Sequence, residues 1–226
     1  MTPSPRGRVV LCALVIVAAG LVAAERSLPS IGAGALLHPY RRALSVHTPA
    51  GCSDVEFSGH DVSLAGWQCG ATATRRGTLI YLHGVADNRA GAAGVAARFT
   101  RRGFDVVAYD SRAHGASAGD VCTYGFYEKR DLSRVIDVAG SGPIVLVGAS
   151  LGAAVALQAA ADDPRITAIV AAETFSDLRT VAWERAPFFF HRRSLASAFT
   201  LAERDARFSV DDVSPLRAAQ RIGVPV

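Results

Sequence analysis

The residues most able to do chemistry in this 226-residue chain are Gly148-Ala149-Ser150-Leu151-Gly152. A serine hydroxyl is a weak nucleophile until it is held in place and relieved of its proton by a base. The G-x-S-x-G spacing supplies the holding when it falls between a strand and a helix, because the serine then sits on a sharp turn with its hydroxyl exposed. The flanks meet that condition. Pro143-Ile144-Val145-Leu146-Val147 is a short apolar run of strand type, and Ala153 to Ala161 is a run of helix formers. Glycine is needed on both sides because a side chain at either position would strike the neighbouring strand or helix.

Other chemistries find less support. Cys12, Cys52, Cys69 and Cys122 show no C-x-x-C spacing, so zinc-ribbon and dithiol redox readings fail. Cys52 and Cys69 flank a predicted hairpin, and whether they pair is left open by spacing alone. No metal or cofactor is expected. The formal charge is +4, but Lys129 is the only lysine and the arginines are scattered, four pairs among them and no longer block. A nucleic-acid surface wants clustered cations with aromatic platforms, so no nucleic-acid partner is expected.

The elements that must position Ser150 follow from hydrophobic patterning. Arg6 and Arg8 precede an apolar run from Val9 to Ala24, which reads as a signal peptide or membrane anchor over residues 1–24, with membrane association through 9–24. The chain is therefore expected to be exported and either anchored, secreted or periplasmic. Residues 25–50 hold Pro29, Gly32, Gly34, Pro39 and Pro49 and read as a linker. The folded domain is expected over 51–226. Val55–Phe57 and Val62–Trp67 read as hairpin strands, and Thr78–Leu82, Asp105–Tyr109, Pro143–Val147 and Ile166–Ala171 as buried strands. Helices are expected over Ala90–Arg102, around Leu132–Ala139, after Ser150, and through a cap at about 175–219 broken by Pro187. Such alternation implies a mostly parallel, doubly wound α/β sheet with both faces covered. Phe188-Phe189-Phe190 reads first as helix packing onto the sheet, with an acyl-binding wall or a membrane-facing lid as the functional alternatives.

Three features beyond the elbow extend this pattern: His83-Gly84 after one strand, Asp110-Ser111-Arg112-Ala113-His114-Gly115-Ala116-Ser117-Ala118-Gly119 after the next, and Ser214-Pro215-Leu216. Together they resemble the α/β-hydrolase family, and most closely its bacterial serine aminopeptidase-like and dienelactone hydrolase-like members. Ala113 stands where the family's loop usually has glycine. The resemblance implies hydrolysis of a small acyl ester, thioester or peptide-like substrate through an acyl-enzyme on Ser150. It implies an oxyanion site made by the backbone N–H groups of Val85 and Leu151. It also implies a triad acid and histidine after the cap. The chain closes on Ile222-Gly223-Val224-Pro225-Val226, which resembles the opening of the strand before that acid, so an incomplete domain lacking the last strands is expected. A disabled relative that only binds is the alternative. Of the residues present, His83 and His114 read as loop-bracing groups, and His191 as a cap residue. His38, His47 and His60 lie in the linker or hairpin. Glu173 or Asp177 is the substitute position for an acid, and Asp110 reads as a loop residue.

Overall fold

The computed structural model describes residues 5–226, so the first four residues of the predicted leader lie outside the described residues. Six strands form one sheet in the order β1-β2-β4-β3-β5-β6. They are β1 (Cys52–Ser58), β2 (Ser63–Cys69), β3 (Gly77–Leu82), β4 (Phe104–Tyr109), β5 (Ile144–Ala149) and β6 (Ile166–Ala172). The first two form the antiparallel hairpin, β2 pairs antiparallel with β4, and β4, β3, β5 and β6 run parallel. Every strand expected from patterning is present. For β3 the reason is physical: it is buried at five of its six positions, which suits its apolar run Leu79–Leu82, while the buried Thr78 hydroxyl donates to the Ala139 carbonyl.

The helices are α1 (Pro5–Leu37), α2 (Ala93–Phe99), α3 (Glu128–Val138), α4 (Leu151–Ala160), α5 (Leu178–Glu184), α6 (Arg192–Ala206) and α7 (Pro215–Ala219). The predicted Ala90–Arg102 helix is divided, with a 3₁₀ turn on each side of α2. On α3 the buried residues Leu132, Val135 and Ile136 form the stripe that its spacing predicted. They join Leu64, Ile80, Val107, Leu146 and Val155 in the main core. A second core lies under the cap, where Leu178, Leu195, Phe199, Phe208 and Val213 pack together.

Two expectations are corrected. Residues 25–37 are helical, not linker: α1 continues to Leu37, and only 38–50 is irregular. Ala33 and Leu37 are buried in the cap core. Gly32 is a contact position, since a Cβ there would lie 2.9 Å from the Ala198 Cβ and 2.9 Å from the Phe190 ring. Pro29 sits inside this helix at the cost of one i→i−4 hydrogen bond, and packing offsets that cost. The second correction concerns the aromatic cluster. Phe190 packs against the cap core, but Phe188 is 99% exposed and Phe189 52%, so those two do not pack onto the sheet.

Covalent and ionic ties fix the hairpin. Cys52 and Cys69, cross-strand partners in β1 and β2, are joined by a disulfide. Arg112 and Asp131 make a buried two-point ion pair, Nε to Oδ2 at 2.7 Å and Nη2 to Oδ1 at 2.8 Å. The same groups reach the hairpin turn: Arg112 Nη2 donates to the His60 carbonyl, and the His60 N–H donates to Asp131 Oδ1. The pair thus ties the loop after β4 to α3 and to the β1–β2 turn. Removing one partner leaves the other charge buried without compensation. We predict that Asp131→Ala lowers unfolding stability by about 3–5 kcal/mol, read from urea denaturation at neutral pH.

Candidate functional site

Ser150 stands between β5 and α4 at φ 51°, ψ −114°, a conformation that costs a non-glycine residue on the order of 1–3 kcal/mol. What holds it there is close backbone approach on both sides. A Cβ at Gly148 would fall 2.4 Å from the Gly152 carbonyl carbon, and one at Gly152 would fall 2.1 Å from the Leu82 carbonyl oxygen of β3. The Ser150 N–H donates to Ala172 O at 2.9 Å, and Ala154 N–H donates to Ser150 O at 3.0 Å, so the turn is tied to β6 and begins α4. Gly84 lies opposite: a Cβ on it would be 3.7 Å from the Ser150 Cβ.

These elements surround a cavity of about 270 Å³. Val85, Ser150 and Leu151 all line it, so the three residues singled out from the sequence are brought to one place. Neither the Val85 nor the Leu151 backbone N–H has a hydrogen-bond partner among the described residues. The Leu151 N–H is free because it opens α4, whose first turn has no preceding carbonyls to accept its donors. The cap supplies the opposite wall through Phe175, Leu178, Val181 and Ala182, and α1 contributes Leu36. Sequence reasoning missed Leu36 as a wall residue, because the segment carrying it reads as linker.

The loop after β4 is braced from within. Asp110 is fully buried and accepts from the Arg89 and Ala116 N–H groups at 2.7 and 2.9 Å, with the Arg89 guanidinium against its second oxygen. This agrees with a loop role. Ala113 takes φ 59°, which explains why glycine suits that position.

No histidine lines the Ser150 cavity. His38 contacts the Asp120 carbonyl, His60 faces Asp61, and His191 caps α6 and lies 3.2 Å from Glu25. His47 is exposed in the irregular segment after α1. Asp177 caps α5 by accepting from Thr180 N–H at 2.8 Å, whereas Glu173 lines the cavity and is exposed. His114 donates from Nδ1 to the Arg112 carbonyl at 2.8 Å, and its Nε2 is buried without a partner among the described residues. His83 is tied at both nitrogens. The Gly84 carbonyl only accepts, so Nδ1 carries the proton toward it at 2.7 Å, and Nε2 accepts from Ser111 N–H at 2.9 Å. Both lone pair and proton are therefore committed to bracing β3 against the loop after β4.

Burial pushes the His83 imidazole down to about 4, with the neighbouring His114 adding to the effect. The sign of the linkage follows. The unfolded chain binds this proton near the ordinary histidine value and the folded one does so only near 4, so the stability is complete above about 6.5 and lost as pH falls toward 4. We predict that His83 contributes on the order of 3 kcal/mol to this loss. His83→Gln, which keeps an acceptor for Ser111 N–H, should flatten the stability curve across that window in denaturant melts taken at successive pH values. Elbow packing gives a second expectation. Gly152→Ala forces α4 away from β3 and should cost about 1–3 kcal/mol in the same assay.

With this geometry in hand, comparison with known proteins places the chain. Residues 77–214 match the family model described as alpha/beta hydrolase fold. An uncharacterized protein of Bacillus subtilis (strain 168), YqkD, is 39% identical over 85 residues, covering 35% of this chain and 28% of that relative's length. Among solved structures, an esterase of Pyrococcus furiosus superposes with a TM-score of 0.64 at 25% identity, covering 83% of this chain and 75% of its own. A mutant epoxide hydrolase of Vigna radiata gives 0.52 at 22% identity, covering 61% of this chain and 45% of its own, and shares the fold. The chain belongs to the α/β-hydrolase fold family.

Proposed function

We propose that the full-length protein is a serine hydrolase that opens an ester, thioester or amide bond through an acyl-enzyme on Ser150. The observation that carries this reading is the strained Ser150 turn on a cavity that Val85 and Leu151 also line, with the backbone N–H groups of both unpartnered among the described residues. In the reaction the Ser150 hydroxyl attacks the substrate carbonyl and its proton passes to a base. The carbonyl oxygen becomes an oxyanion, which the Val85 and Leu151 N–H groups stabilise. Collapse expels the alcohol, thiol or amine, and water then attacks the acyl-enzyme by the reverse geometry. Losing one such donor costs about 2.7–4 kcal/mol of transition-state stabilisation. The side chains at 85 and 151 only shape the cavity.

The reading requires a base at Ser150 Oγ, which none of the six histidines provides in its observed position. Glu173 is the one carboxylate besides Glu184 on the cavity wall among the described residues, and it is exposed. That absence of a histidine from the cavity favours a second reading, in which the domain binds acyl compounds without turnover. A membrane role is proposed beside it: α1 exposes Leu14, Val15, Ile16 and Val17 N-terminal to the turns that dock on the cap, and the Cys52–Cys69 disulfide suits an oxidising compartment, which supports export with anchoring through residues 9–24.

Treatment of the full-length protein with a fluorophosphonate probe separates the two readings. A hydrolase is labelled at Ser150, and Ser150→Ala abolishes the label. An intact, folded protein that resists labelling would favour binding alone.

A further inference from the structure

The Ser150 cavity adjoins a second one of about 290 Å³ between α1 and the cap. Leu36, Tyr124, Ala182 and Arg185 belong to the walls of both. Among the described residues, Arg185 is the single charged one around the second cavity, whose other walls come from Ile31, Ala35, Leu195, Phe199 and the aromatic turn at Phe189-Phe190. A polar reactive end followed by an apolar extension is the shape of an acyl group, with its carbonyl at Ser150 and its alkyl tail in the cleft.

The surroundings of the cleft bear on the length of that tail. One wall is α1 itself, and N-terminal to that wall the helix exposes Leu14, Val15, Ile16 and Val17. Glu25 and His191, 3.2 Å apart, hold the point where α1 leaves the fold beside the Phe188–Phe190 turn. Phe188 and Phe189 project from that turn, and Trp183 is 41% exposed on the same cap. Exposed apolar side chains thus flank the cleft on the side where α1 leaves the fold. A short acyl group would fill only the Ser150 cavity and leave this second volume unused. We propose that the cleft between α1 and the cap holds the alkyl tail of a long-chain acyl ester. Tail binding stands on the cleft alone, whereas cleavage of the ester rests on the hydrolase reading of Ser150.

The test uses full-length protein and two readouts. Binding of the fluorescent fatty acid cis-parinaric acid is measured on Ser150→Ala, so that turnover plays no part. Palmitate should displace the probe and butyrate should not. Ala35 is exposed on the cleft wall, so a larger residue there fills the cleft without entering the core. Ala35→Phe, checked for unchanged thermal unfolding, should weaken probe binding about tenfold or more. With Ser150 intact, the same substitution should lower the ratio of kcat/KM for p-nitrophenyl palmitate over p-nitrophenyl butyrate by a similar factor. Equal displacement by butyrate and palmitate, or unchanged probe affinity in folded Ala35→Phe, would overturn the proposal. Tail binding that persists in a protein resistant to fluorophosphonate would uphold the cleft and remove the hydrolase reading.

Discussion

Everything at this site depends on how closely the backbone of α4 approaches β3 and β5. Gly148 and Gly152 leave no room for a Cβ: one would meet the start of the helix and the other the Leu82 carbonyl. That approach drives Ser150 into a conformation with positive φ directly before α4, whose first N–H groups lack preceding carbonyl partners. The strained residue and the unpaired donor are therefore neighbours. The remaining structure keeps this arrangement from relaxing, through the burial of α4 at nine of its ten positions, the Ser150–Ala172 hydrogen bond and the bracing of the neighbouring loops.

The loop network shows how buried polar groups specify a backbone. His83 joins β3 to Ser111, Asp110 gathers Arg89 and Ala116, and Arg112 with Asp131 reaches across to the hairpin turn. Each polar atom is costly to bury alone and stable only with its partners. His83 and Asp110 resemble catalytic groups by residue type, yet their hydrogen bonds are spent on positioning. The His83 ring has no free nitrogen to offer Ser150.

Legibility in the sequence followed the range of the interactions. The buried strands and the elbow were readable because local runs of apolar residues and the glycine spacing carry their own physics. Val85 and Leu151 were placed beside Ser150 on the strength of family resemblance, and the three do line one cavity. The docking of α1 was not readable. Pro29, Gly32 and Gly34 look like chain breakers, and only the facing Ala198 and Phe190 reveal Gly32 as a close-contact position. The Arg112–Asp131 pair also left no local signal, since its partners lie on a loop and a separate helix. The exposure of Phe188 was equally hidden, because composition alone favours burying three consecutive phenylalanines.

A serine hydrolase of this kind requires that Ser150 itself becomes acylated. Rapid acid quenching of the full-length protein with p-nitrophenyl palmitate, followed by mass spectrometry of its peptides, reads this directly. A palmitoyl adduct is expected on the peptide carrying Ser150, absent from Ser150→Ala. Turnover that proceeds with no adduct there, or that survives the substitution, would contradict the acyl-enzyme reading.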